Sequence, residues 1–152
     1  MSRVMKVLAL GALILVLSAG TALAATLVGT EGDDNISGSG VADQIFTLEG
    51  NDTVDGMGGN DEIYGNENND FLIGAEGSDT LYGNTGNDAV DLASFDIPGD
   101  SDQGYGGKGN DTIGAQDGNV DVVNCGAGGS DVAFFDAGID KVAANCETRH
   151  PR

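Results

Sequence analysis

The sequence predicts an all-β parallel solenoid in which two nine-residue repeats make one coil. Three observations predict it. Aspartates stand nine residues apart at Asp34, Asp43, Asp52, Asp61, Asp70, Asp79 and Asp88. An aliphatic follows two residues after each, at Ile36, Ile45, Val54, Ile63, Leu72, Leu81 and Val90. Aromatics recur every 18 residues, at Phe46, Tyr64 and Tyr82, while the intervening repeats end in Ser37, Asp55, Ile73 and Asp91. A fixed period in both charge and hydrophobicity means one unit copied and stacked. The alternation at the last position makes the coil two units long.

Residues 1–24 read as a secretory signal peptide. Arg3 and Lys6 make a basic start, Val7 to Leu17 is almost wholly apolar, and Ala22-Leu23-Ala24 offers a small-x-small cleavage site before Ala25. The apolar run is too short for a comfortable membrane span. Cleavage would remove Arg3 and Lys6 and take the net charge from −19 to −21. Nucleic acid and anionic membrane surfaces are poor partners for such a chain. With 26 glycines and few aromatics it would read as disordered. The repeat resolves that conflict, because its acids are placed to be neutralised by cations.

The repeats align end to end as GTEGDDNIS (29–37), GSGVADQIF (38–46), TLEGNDTVD (47–55), GMGGNDEIY (56–64), GNENNDFLI (65–73), GAEGSDTLY (74–82) and GNTGNDAVD (83–91), with a later copy, GGKGNDTIG, at 106–114. This pattern resembles the glycine- and aspartate-rich nonapeptide of the RTX (hemolysin-type) calcium-binding repeat family over roughly residues 29–143. The resemblance implies a right-handed parallel β-roll holding several Ca2+ ions, and right-handed crossovers are also the general rule. It places metal ligands at Asp34, Asp43, Asp52, Asp61, Asp70, Asp79, Asp88 and Asp111. Backbone carbonyls of the same turns are expected to complete the shells, which adds Gly29, Gly32, Gly50, Gly56, Gly59, Gly65, Gly74, Gly77, Gly83, Gly86 and Gly109 to the metal sites.

The residue types suit that chemistry. Glycine and asparagine allow positive φ, so the first six positions turn sharply and expose carbonyls. The aspartate at position six adds a hard anionic oxygen. Calcium takes about 6–8 such oxygens, more than one turn supplies. Positions seven to nine form a short strand with the middle residue inward. With two repeats per coil, Asp34, Asp52, Asp70 and Asp88 stack on one edge and Asp43, Asp61 and Asp79 on the other. Ions are expected between 34/52, 52/70, 70/88, 43/61 and 61/79. The aromatics Phe46, Tyr64 and Tyr82 are expected to form a cross-strand ladder rather than a ligand-binding stripe.

The departures locate weak points. Val41 stands where position four calls for glycine, which puts the 43/61 site in doubt. Thr47-Leu48 replaces a glycine pair, and Asn68 replaces a glycine that asparagine can mimic. Residues 92–105 break the period and, with Pro98, read as a surface loop interrupting a β-roll over 25–114. Asp121, Asp131 and Asp140 then follow at 10, 10 and 9 residues, which suggests bulges and weaker sites. Residues 115–152 are expected to be degenerate repeats, a cap and a tail. Cys125 and Cys146 are an even pair in an exported chain, so a disulfide closing the cap is expected. Two cysteines and the distant His150 match no zinc spacing.

The functional expectation is a secreted, extracellular calcium-binding protein with a structural or interaction role, periplasm and cell surface being alternatives. A second reading is a calcium-rigidified adhesion or glycan-binding module using the aromatic stripe, and under either reading the partner beyond calcium is an unidentified extracellular protein or glycan. A hydrolase is disfavoured, since neither G-x-S-x-G nor H-E-x-x-H occurs and the single His150 stands in a tail expected to be flexible. The family commonly leaves the cell through a C-terminal signal, and the N-terminal leader departs from that habit.

Overall fold

The computed structural model describes residues 24–95 and 97–152, and the backbone of 4–6 and 13–14. Short strands alternate between two sheets. The first contains β1 (Val4–Lys6), β3 (Thr26–Val28), β5 (Gln44–Phe46), β7 (Glu62–Tyr64), β9 (Thr80–Thr85), β11 (Gln103–Lys108), β13 (Val122–Ala127) and β15 (Lys141–Val142), in that spatial order. The second contains β2 (Leu13–Ile14), β4 (Asn35–Ser39), β6 (Thr53–Met57), β8 (Phe71–Ile73), β10 (Ala89–Asp91), β12 (Thr112–Ala115), β14 (Val132–Phe135) and β16 (Thr148–Pro151). Every neighbouring pair is parallel, as in Gln44↔Glu62↔Thr80 and Thr53↔Phe71↔Ala89. The result is a parallel β-solenoid of about seven turns, with two repeats per coil.

The core lies between the sheets and is one aliphatic deep on each side. Leu27, Ile45, Ile63, Leu81 and Val123 point inward from the first sheet; Ile36, Val54, Leu72, Val90, Ile113 and Ala133 do so from the second. Each of the leucines, isoleucines and valines contributes about 1.5–3 kcal/mol by leaving water. So thin a core leaves the turns at the two edges to fix the coil spacing.

Two expectations are corrected. The segment 92–105 is not a loop throughout. Leu92 is in the core at 1% exposure, Asp102 is buried, and Gln103 already belongs to β11. The insertion between β10 and β11 only lengthens one turn, so the step between neighbouring strands rises from 18 to 23 residues in both sheets. His150 is not in a flexible tail: it lies in β16, paired with Phe134 of β14, and the two rings stack with centroids 4.9 Å apart. The leader expected at 1–24 lies mostly outside the described residues; its described strands, β1 and β2, pair with β3 and β4. Among the described residues no helix is long and apolar enough to cross a membrane.

Cys125 and Cys146 are bonded, with Cα atoms 5.2 Å apart. The bridge ties β13 to the segment that follows β15. Three of the basic side chains gather on this last coil: Lys141, Arg149 and Arg152, the last 3.7 Å from Asp136.

Candidate metal centre

The turns are built on two left-handed positions. At position two the chain puts Leu48, Met57, Asn66, Ala75 and Asn84 at φ between 66° and 85°. Asparagine accepts this conformation readily, whereas leucine, methionine and alanine pay about 1–2 kcal/mol. At position four the left-handed residues are Gly50, Gly59, Asn68, Gly77, Gly86 and Gly109. Here coils also touch backbone to backbone. A Cβ on Gly77 would lie 2.0 Å from the Gly59 carbonyl oxygen, and one on Gly59 would lie 2.3 Å from the Val41 carbonyl carbon. Gly32 has nothing within 4 Å of such an atom.

These turns aim the aspartates inward as two ladders. On one edge the backbone N–H of each of Asp34, Asp52, Asp70, Asp88 and Asp111 donates to Oδ1 of the aspartate one coil on, ending at Asp131, with distances of 2.7–2.9 Å. Asp131 in turn donates to Glu147 at 2.9 Å. On the other edge the chain of donors runs Ala25, Asp43, Asp61, Asp79, Asp102 and Asp121 to Asp140, at 2.7–3.1 Å. The eight expected aspartates are all 5% exposed or less. The stacking order expected for Asp34 to Asp88 and for Asp43 to Asp79 is the one observed.

Each ladder carboxylate beyond Asp34 uses one oxygen in this way. The other oxygen of Asp52, Asp61, Asp70, Asp79, Asp88, Asp111, Asp121 and Asp131 is buried with no hydrogen-bond donor, as is Oδ1 of Asp34. A buried anionic oxygen without a donor or cation is costly. Burial accordingly pushes Asp61 up to about 8, Asp70 and Asp121 up to about 7, and Asp79 and Asp88 up to about 6.

What faces those oxygens is glycine at position one. A Cβ on Gly65 would lie 2.4 Å from Asp70 Oδ2 and 2.9 Å from the carbonyl oxygen of Gly83, one coil on. The same pair of oxygens meets Gly56 (Asp61 and Gly74), Gly83 (Asp88 and Gly106) and Gly106 (Asp111 and Cys125). Gly74 faces Asp79 Oδ2, and Gly29 faces Asp34 Oδ2, the oxygen that already accepts from Thr30, together with the Thr47 carbonyl. A carboxylate oxygen and a backbone oxygen from successive coils thus converge at these glycines, whereas in the Asp52 repeat the buried Thr47 takes position one and its hydroxyl donates to the Gly65 carbonyl. Among the described residues no three His, Cys, Asp or Glu side chains form a metal cluster. A cation here must therefore draw on carbonyls as well as carboxylates. An all-oxygen, largely backbone donor set suits calcium and not zinc or copper.

Asp43 differs from the rest. Its Oδ2 accepts from Ser39 N at 2.7 Å and Ser39 Oγ at 2.8 Å, while Oδ1 accepts from Ala25 N. Both oxygens are satisfied without an ion. This is the turn that carries Val41, where doubt was expected.

Sequence reasoning missed Asp102, which fills the rung between Asp79 and Asp121. The available signal was the spacing from aspartate to tyrosine: Asp102-Gln-Gly-Tyr105 repeats Asp79-Thr-Leu-Tyr82. Tyr105 in turn extends the aromatic ladder. Phe46, Tyr64, Tyr82 and Tyr105 stack with centroids 4.8–4.9 Å apart and planes within 12°. Also unforeseen is an outer amide ladder. Asn51, Asn69, Asn87 and Asn110 each bond through backbone N and Nδ2 to the side chain one coil earlier, starting from Asp33.

The family model for the RTX calcium-binding nonapeptide repeat matches four times, at residues 20–54, 28–63, 38–72 and 64–96. Together these cover 20–96, about half of the 152 residues. No curated protein and no solved structure matches the chain.

Proposed function

From the premise that the chain belongs to the RTX calcium-binding nonapeptide repeat family, we propose that it is a secreted protein whose two aspartate ladders bind calcium between coils, so that the ion drives folding. The observation that carries this reading is the row of buried carboxylate oxygens without donors, those of Asp61, Asp70, Asp88 and Asp111 set against a backbone carbonyl of the next coil. Bound calcium would supply the positive charge that these oxygens lack. Asp34, Asp52, Asp61, Asp70, Asp79, Asp88 and Asp111 would hold it, with carbonyls of the position-one residues. Gly29, Gly56, Gly65, Gly74 and Gly83 keep that space open; Gly50, Gly59, Gly77, Gly86 and Gly109 let the coils approach.

The role we assign is structural rather than catalytic, because the carboxylates face neighbouring backbone and not an open cleft. Secretion is supported by the leader pattern of residues 1–24, and by the Cys125–Cys146 bridge, which belongs to oxidising compartments. The aromatic stripe gives little support to glycan binding, since the rings spend their faces on one another. Circular dichroism tests the proposal: β-structure in millimolar calcium and its loss in excess chelator near pH 8 are expected. A chain fully folded in chelator at that pH would sink it.

A further inference from the structure

The outer face of the second sheet carries an open groove of about 320 Å³. Strands β8, β10, β12 and β14 are successive neighbours there. One row runs Phe71, Ala89, Thr112 and the next runs Asp91, Gly114, Phe134, so Ala89 and Gly114, with Asp91 and Thr112 beside them, form a floor between two aromatic walls. Phe71 and Phe134 are 41% and 38% exposed. In the earlier coils the same rows hold Asn35 and Thr53, or Ser37 and Asp55, so this apolar surface is confined to the later coils. The His150 ring covers Phe134 on one side, with planes 17° apart, and holds that wall upright. Thr112 and Gln116 add a hydroxyl and an amide to the lining. The Asp91 carboxylate, which accepts from Ser94 and from the Ala93 N–H, puts one negative charge beside the floor.

We propose that this groove binds a neutral polysaccharide, with a pyranose ring over Ala89 and Gly114 between Phe71 and Phe134. A pyranose has an apolar C–H face and a rim of hydroxyls. Its face matches the aromatic walls and small floor, and its rim matches Thr112 and Gln116. No lysine or arginine lines the groove and the Asp91 carboxylate stands at it, so anionic sugars are disfavoured there. The inference rests on the calcium-folded roll only as the scaffold, and it is separate from the aromatic ladder of the first sheet.

The test is calorimetric titration of the full chain in calcium with cellohexaose and chitohexaose, and with polygalacturonate as the anionic control. Saturable binding of at least one neutral hexasaccharide, and none of polygalacturonate, is expected. Gly114→Val should fill the floor. A Cβ there meets only Asp91 Oδ1 at 4.0 Å, so the fold should persist, with unchanged circular dichroism in calcium. Its dissociation constant should rise at least about tenfold, as should that of Phe71→Ala, while Tyr64→Ala should bind like the parent. Absence of binding by both neutral sugars would overturn the proposal. So would undiminished affinity in Gly114→Val, or a loss confined to Tyr64→Ala. A chain that folds without calcium would overturn the calcium reading and still be titrated, so the two fail separately.

Discussion

The backbone N–H of Asp52 donates to Oδ1 of Asp70 at 2.9 Å, and the Asp70 N–H repeats the bond to Asp88 at 2.9 Å. Asp70 is therefore both acceptor and donor in the middle of a ladder. Asp34, at the head of the same ladder, instead accepts from Thr30 in its own turn.

Asp70→Ala should therefore harm calcium-driven folding more than Asp34→Ala. It strips an acceptor from a buried N–H, at about 1–3 kcal/mol, and removes a carboxylate placed between two expected ions. The calcium midpoint should rise several-fold for Asp70→Ala and less for Asp34→Ala, by circular dichroism. Equal shifts would contradict sharing between coils.

Acid should substitute for calcium. In the ion-free fold, burial raises Asp61 to about 8, Asp70 and Asp121 to about 7, and Asp79 and Asp88 to about 6, from an ordinary value of 3.8. The folded state thus binds more protons than the unfolded one between those limits. The stability this gives is fully present below about pH 4 and is lost as pH rises through 6–8. In chelator, β-structure should appear on acidification from pH 8 to 4, and calcium affinity should weaken over the same range. A flat signal in chelator across that range would oppose it.

Glycines in equivalent sequence positions should differ sharply. Gly77 has φ +128°, and its Cβ would strike the Gly59 carbonyl at 2.0 Å; Gly32 has neither constraint. Gly77→Ala should force two coils apart and lower the thermal midpoint in calcium by many degrees. Gly32→Ala should change it by no more than a degree or two. Differential scanning calorimetry measures both.

Much of this was legible because the period is a direct image of the coil. Nine residues from Asp34 to Asp43 are half a turn, so the stacking of Asp52 on Asp70 follows from counting. Counting fails where the turn length changes. Asp102 was lost because five extra residues precede it, although the strand after it keeps register. Leu92 could not be read as core, since the space it fills exists only because Gly104 is opposite. The Asn51–Asn69–Asn87–Asn110 ladder was present as a repeated letter, but its bonds need the coil spacing that only the stacked turns define.

Reduction should loosen the end of the roll first. The Cys125–Cys146 bridge spans 21 residues beside short β15 and the irregular turns at Asp121 and Asp131. Closing such a loop is worth about 3 kcal/mol in the chain-entropy model. Intact mass should show two hydrogens fewer than the reduced chain. In calcium, hydrogen exchange on reduction should rise after about residue 115 and stay low over 29–91. Uniform protection after reduction would remove the bridge's capping role.

Leu92 and Gly104 should be energetically coupled. Gly104 occupies the inward position between Leu81 and Val123 in the first sheet, and supplies no side chain there. Leu92, from the lengthened turn, fills the space: a Cβ on Gly104 would lie 3.0 Å from Leu92 Cδ1 and 3.1 Å from Ile113 Cγ2. Leu92→Ala should cost about 2–5 kcal/mol by opening a cavity. Gly104→Val should cost about 1–3 kcal/mol by overpacking. Combined, valine enters the space that leucine vacates, so the double variant should be more stable than the sum predicts, by about 0.5–3 kcal/mol. Urea unfolding of the four proteins in saturating calcium closes the cycle. Additive losses would show that the two residues do not share one volume, and that the turn at 92 is held by something other than the missing side chain at 104.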